Sequence, residues 1–184
     1  MVRYKLPDGK VLELVRGDIT KQRDLRAIVN SANSRLTPGG GVSGAIHRAA
    51  GPQLQEEAKR YAPIRVSECV ITGAYNLPND YVIHCLGPVY GRDEPSDVFL
   101  AKTYENALRL ADERGIESVG FPSISTGIFG YPVDEAAKVA LRSILETLPK
   151  LKNVKKVRMV LWGEDSYRAY VNALKELVGE VEEI

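Results

Sequence analysis

The chain has 184 residues, with 25 Lys and Arg against 24 Asp and Glu, for a formal net charge of +1. A charge so near zero excludes a nucleic-acid binder held by bulk electrostatics, and equally an acidic tail protein. With 44% apolar and 27% charged residues, the composition is that of a globular chain, and the length predicts one domain over residues 1–184 around one sizeable core.

Two alternating apolar runs, residues 3–6 and 10–17, flank Pro7-Asp8-Gly9 and predict an opening hairpin. Residues 27–30 read as a short buried strand. A glycine-rich loop follows, then a helical stretch from about Val42. Residues 69–74 and 81–86 read as two further strands, separated by Asn76-Leu77-Pro78-Asn79-Asp80. Over residues 97–114, Ala101, Tyr104, Leu108 and Ala111 share one helical face, and Gly115 suits the helix end. Residues 118–121 are a strand stopped by Pro122. Pro132 suits a first helical turn, and Val133, Ala136, Ala140, Ile144 and Leu148 form the stripe that follows. Residues 154–162 are a strand, and Tyr167, Tyr170, Val171, Leu174, Leu177 and Val178 mark a last helix. Such alternation predicts an α/β fold with a parallel or mixed sheet and helices on both faces. Ligands of such sheets bind where loops leave the carboxyl ends of strands. Four loops are therefore of interest: residues 17–20, 30–44, 123–130 and the turn after Trp162.

Gly39-Gly40-Gly41 leads from a strand into a helix, and Ser125-Thr126-Gly127-Ile128-Phe129-Gly130 occupies a second such junction. Backbone N–H groups and the dipole at a helix N-terminus make an anion site. One such loop would most simply serve a turn, whereas two point to a diphosphate. Gly39, Gly41 and Gly44 also match G-x-G-x-x-G, but the loop stands several residues beyond its strand. Glu56 and Glu57 fall in a helix rather than at a strand end, so a dinucleotide fingerprint is rejected. Asn30 and Asn33 either cap turns or orient a sugar hydroxyl. Asp18 is either an N-cap or an acceptor for an exocyclic amine. Trp162, the only Trp, is either a rim packing residue or a stacking face for a base.

His47, predicted on a helix, and His84, predicted inside a strand, read as satisfied structural residues, and no metal-ligand spacing is present. Cys69 and Cys85 read as small buried hydrophobes rather than a disulfide framework. Lys150, Lys152, Lys155, Lys156 and Arg158 read as the solvated charges of an edge strand. There is no membrane-length apolar run and no signal-like start, so a cytoplasmic protein is expected. Only 3 Gln and 7 Asn occur, which fits a thermophile.

Taken together, Gly17-Asp18-Ile19-Thr20, Asn30-Ser-Ala-Asn33, Gly39-Gly-Gly-Val42-Ser-Gly44-Ala-Ile-His47-Arg-Ala-Ala-Gly51 and Ser125-Thr-Gly-Ile-Phe129-Gly-Tyr-Pro132 closely resemble the macrodomain family, in particular its MacroD-type branch. The resemblance runs over about residues 12–177. It implies a three-layer α/β/α fold with a central mixed, mostly parallel sheet, and ADP-ribose in a cleft. By resemblance, Asp18 bonds the adenine amino group and Ile19 supplies neighbouring backbone. Asn33 contacts the distal ribose and is the catalytic residue. Gly40, Gly41, Val42 and Ser43 form the first phosphate loop. Ser125, Thr126, Gly127, Ile128 and Phe129 form the second, with Phe129 beside the distal ribose, and Trp162 stacks on adenine. Where the branch carries an Asp, this chain has Ser43. The resemblance implies hydrolysis of mono-ADP-ribosyl esters on protein carboxylates, or of O-acetyl-ADP-ribose, with no metal or cofactor. A non-catalytic ADP-ribose reader and an ADP-ribose 1″-phosphate phosphatase are the alternatives. Implied partners are ADP-ribosylated proteins or metabolites, with neither a membrane nor sequence-specific nucleic acid.

Overall fold

Strands β1 (Val2–Lys5) and β2 (Val11–Arg16) pair antiparallel across the Pro7-Asp8-Gly9 turn, with Gly9 at φ 94°. The computed structural model describes residues 1–184. In chain order there follow β3 (Ala27–Ser31), α1 (Gly41–Ala50), α2 (Gln53–Ala58), β4 (Cys69–Gly73) and β5 (Tyr81–Cys85). The second half alternates as predicted: α3 (Ser96–Glu113), β6 (Ser118–Phe121), α4 (Val133–Thr147), β7 (Lys156–Leu161) and α5 (Glu164–Val178), then a short β8 (Glu182–Glu183).

One sheet holds all eight strands in the order β4-β5-β3-β6-β7-β2-β1-β8. Its inner five, β5-β3-β6-β7-β2, are mutually parallel; β4, β1 and β8 join antiparallel. Parallel strands are covered on both faces and so read as continuous apolar runs. In β3, Ala27 and Val29 enter the main core under α3, α4 and α5, while Ile28 enters a second cluster with Ile46, Ala50 and Leu54 of α1 and α2. The result is the three-layer α/β/α architecture with a mixed sheet. No helix is long and apolar enough to cross a membrane.

Two expectations are overturned. First, the basic run is not on an edge strand: Lys150, Lys152 and Lys155 precede β7 and are solvated as expected, but β7 itself lies between β6 and β2. Arg158 is buried and bound to Glu13 and Asp24, and Lys156 pairs with Asp24. A central strand tolerates these cations because each has a carboxylate against it. Second, Cys69 and Cys85 form a disulfide. They are directly opposed residues of the antiparallel β4–β5 pair, a register that a spacing of sixteen residues does not reveal.

Candidate functional site

Because β3, β6, β7 and β2 are consecutive and parallel, the four loops singled out in the sequence leave the same edge of the sheet. From β3 to β2 that edge spans roughly 14 Å, at about 4.8 Å per strand. A cleft of about 330 Å³ opens over β3 and β6.

The first wall is the turn into α1. Asn33, Gly39, Gly40, Gly41, Val42 and Ser43 line the cleft. Gly40 is the N-cap and contributes no side-chain hydrogen bond. The N–H groups of the first helical turn therefore have neither an intrahelical acceptor nor a cap. Gly44 fits for a different reason: a Cβ there would sit 2.5 Å from the Gly39 carbonyl oxygen. Ser43 Oγ is buried without a partner, and so is His47 Nδ1 one turn further along α1. His47 is thus not the satisfied structural histidine expected from sequence. Burial lowers its pKa.

The second wall is the loop between β6 and α4, where Ser123, Ser125, Gly127, Ile128 and Phe129 line the cleft. Ser125 takes φ 69°, a left-handed conformation that costs a non-glycine residue energy and clusters at functional sites. Its Oγ is buried and unpartnered. Two buried tyrosines brace the loop from below. The Ile124 N–H donates to Tyr104 Oη (3.0 Å), and Ser123 Oγ pairs with Tyr170 Oη (2.7 Å). Gly87 closes the back of the loop, since a methyl group there would collide with Ser125 Oγ and Ile124 Cγ2. The Tyr90 N–H holds the Phe129 carbonyl at 2.9 Å. The bracing roles of Tyr104 and Tyr170, read from sequence only as helix-face residues, and those of Gly87 and Tyr90 escaped the sequence reading, because they arise from long-range contacts.

The two asparagines separate. Asn30 is buried and its Nδ2 meets His84 Nδ1 at 3.1 Å, away from the cleft lining. His84 Nε2 lies 2.9 Å from Thr72 Oγ1, whose hydroxyl donates to the Gly73 carbonyl. His84 is therefore satisfied, as expected, and burial with the neighbouring His47 depresses its pKa to about 3. Asn33 lines the cleft, with its amide currently bridging Thr37: Oδ1 accepts the Thr37 N–H (3.1 Å) and Nδ2 donates to Thr37 Oγ1 (2.9 Å).

Asp18, Ile19, Thr126 and Trp162 are not part of the lining. The Ile19 side chain is buried in the second core cluster, and Thr126 Oγ1 folds back onto Ser123. Further along the same edge Trp162 follows β7, next to β6, and Asp18 follows β2, one strand beyond; they are joined where the Gly17 N–H donates to the Leu161 carbonyl (2.9 Å). Asp18 is the N-cap of a single turn, Ile19–Lys21: its Oδ1 accepts both the N–H and the hydroxyl of Thr20. Its Oδ2 keeps no protein partner. Partial burial raises the Asp18 pKa, the Thr20 bonds and the Lys21 charge lower it, and the net shift is downward. Trp162 is 76% exposed, so it packs little and presents an open indole face.

The sheet order and these paired loops define a three-layer α/β/α domain with a cleft between two strand-to-helix loops, the geometry in which anions can be held. The Macro domain family profile matches residues 29–140. A Macro domain-containing protein of Caldanaerobacter subterraneus is 44% identical over 171 residues, covering 90% of this chain and 97% of that protein. A protein of Pantoea vagans named O-acetyl-ADP-ribose deacetylase 1 is 43% identical, with 90% and 99% covered. The Oceanobacillus iheyensis macrodomain solved with ADP superposes with a TM-score of 0.91 at 39% identity, covering 96% of this chain and 95% of that one. The Trypanosoma brucei macrodomain in complex with ADP-ribose gives 0.83 at 38%, covering 89% and 68%. The chain belongs to the Macro domain family.

Proposed function

We propose that the cleft binds ADP-ribose and that the chain hydrolyses its esters. It would release single ADP-ribosyl groups from protein carboxylates, and acetate from O-acetyl-ADP-ribose. The observation that carries this reading is the pair of strand-to-helix loops facing one cleft, with the first-turn N–H groups of α1 capped by no side chain. The diphosphate lies between Gly40, Gly41, Val42 and Ser43 on one side and Ser125, Thr126, Gly127, Ile128 and Phe129 on the other. Adenine lies further along the edge, its amino group on the free Asp18 oxygen beside the Ile19 backbone and its ring on Trp162. The distal ribose sits between Asn33 and Phe129.

Ester hydrolysis then needs a water, a proton acceptor and a fixed C1″. A water between a phosphate oxygen and C1″ attacks, the phosphate oxygen takes its proton, and the carboxylate departs with the bonding pair. For the acetyl ester the water adds at the acetyl carbonyl instead, the acyl C–O bond breaks as the adduct collapses, and acetate is released while the ribose oxygen takes up the proton. Positioning supplies most of the rate. The solved relatives named with ADP and ADP-ribose support the ligand, and the relative named as a deacetylase supports the ester chemistry.

One observation favours a second reading, a non-catalytic reader of ADP-ribosylated proteins. Ser43 offers only a hydroxyl, which no base hydrogen-bonds, and an unassisted hydroxyl is no general base near pH 7. Incubation with a glutamate-ADP-ribosylated protein, and separately with O-acetyl-ADP-ribose, decides between them. Free ADP-ribose released from either supports the hydrolase. Saturable binding without release from both leaves the reader.

A further inference from the structure

A charge network with a buried centre on β2 and β7 reaches the backbone of Asp18 through one side chain. Glu13 and Arg158 are register partners and both buried. Arg158 donates from Nε to Glu13 Oε1 (3.0 Å), from Nη1 and Nη2 to Asp24 (2.8 and 2.7 Å), and from Nη1 to Gln22 Oε1 (3.0 Å). Gln22 Nε2 donates in turn to the Asp18 carbonyl at 2.9 Å, beside the Lys21 N–H that closes the single turn onto the same oxygen (3.1 Å). A guanidinium only donates, so the Gln22 oxygen must face Arg158 and its nitrogen must face Asp18. Asn79 Nδ2 clamps the flanking backbone, at 2.8 Å from both the Gln22 and Leu25 carbonyls. Apart from the single turn at Ile19–Lys21, residues 17–25 have no regular structure of their own.

We propose that Gln22, oriented by Arg158, is a positioning residue that fixes the Asp18 carboxylate and thereby sets selectivity for adenine over hypoxanthine. The proposal rests on the assignment of Asp18 to the base. One Asp18 oxygen is taken by Thr20, so only Oδ2 reads the ligand. An acceptor accepts from the adenine amino group and repels the oxo group of hypoxanthine. That discrimination holds only while the Asp18 peptide is prevented from turning. The diphosphate and distal ribose are held by other loops, so loosening Asp18 should alter base selectivity while leaving the rest of the grip intact.

The test measures dissociation constants by calorimetry for ADP-ribose and for its hypoxanthine counterpart. Wild type is compared with Gln22→Met, which loses both amide functions at similar length, and Gln22→Glu, which keeps the acceptor for Arg158 but cannot donate to Asp18. Gln22 is partly exposed, and thermal unfolding checks that both variants are folded. The expected result is a roughly fivefold loss for ADP-ribose, one neutral hydrogen bond's worth, with the hypoxanthine ligand unchanged. Equal losses on both ligands, or no loss on either, overturn the proposal. Asp18→Ala separates the layers. If it narrows the selectivity and the Gln22 variants do not, Gln22 has no positioning role and the base assignment stands. If Asp18→Ala leaves selectivity unchanged, the base assignment falls and the proposal with it.

Discussion

At the scale of single residues, Asn33 is committed twice. Its amide closes the turn onto Thr37, and it lines the cleft at the end proposed for the distal ribose. The two roles predict different kinetics for Asn33→Ala. If it only braces the turn, affinity and turnover fall together. If it holds the ribose, turnover should fall about 100-fold, the cost of a misplacement near 1 Å, while ADP-ribose affinity falls far less. Ser43→Asp in the same assays should keep or raise turnover if a carboxylate there assists the water, since a positioned base contributes about 100- to 10,000-fold. Trp162 permits a simpler check. An indole this exposed gains little from the fold, so stacking on adenine, worth roughly 1–3 kcal/mol per base, should dominate its behaviour. Its fluorescence should change on titration with ADP-ribose and with AMP. Saturation by calorimetry at constant emission would count against stacking.

At the scale of elements, the second cleft loop depends on helices behind the sheet as well as on its own sequence. Tyr104 on α3 accepts the Ile124 N–H and donates to the Pro122 carbonyl (3.3 Å). Tyr104→Phe keeps the ring packing against Phe121 but leaves that buried N–H and carbonyl unpaired. It should cost about 1–3 kcal/mol of stability and weaken ADP-ribose binding. Denaturant unfolding with a parallel ADP-ribose titration measures both, and unchanged affinity in a destabilised variant would mean that the loop does not need the brace. The strands and helices themselves were legible, because parallel strands between amphipathic helices leave short apolar runs, as at residues 27–29. The glycine loops were legible because two glycine-rich stretches, Gly39 to Gly41 and the one around Gly127, each stand between a strand and a helix. The braces were not, since Tyr104 and Tyr170 sit on apolar stripes and a hydroxyl on such a stripe looks like core. Nor was the central place of β7, because Lys156 and Arg158 are explained only by Asp24 and Glu13, far away in the chain. The Cys69–Cys85 pairing was hidden in the same way by strand register.

At the scale of the whole molecule, burial of a neutral imidazole makes the fold acid-sensitive. His84 is fully buried on β5, and its two ring nitrogens are used by Asn30 and Thr72. Its pKa is about 3 in the fold against 6.5 ordinarily. Between those values the unfolded chain binds a proton that the folded chain refuses, so stability falls as pH falls from 6.5 and is unaffected by this group above it. The slope is about 1.4 kcal/mol per pH unit, which amounts to about 2 kcal/mol between pH 6.5 and 5. His47, lowered by burial, adds in the same direction. Asp24, held low chiefly by its hydrogen bonds to Arg158, contributes stability that is lost only as pH falls below the ordinary carboxylate range, about 3.8. The window from pH 6.5 to 5 therefore isolates the histidines. Urea unfolding at pH 7, 6 and 5 should show the wild type losing stability across that window. His84→Gln, whose side chain does not titrate, should retain only the slope due to His47. An equal slope in both proteins would mean that His84 is protonated in the fold, and the Asn30–His84–Thr72 arrangement would have to be redrawn with both ring nitrogens as donors.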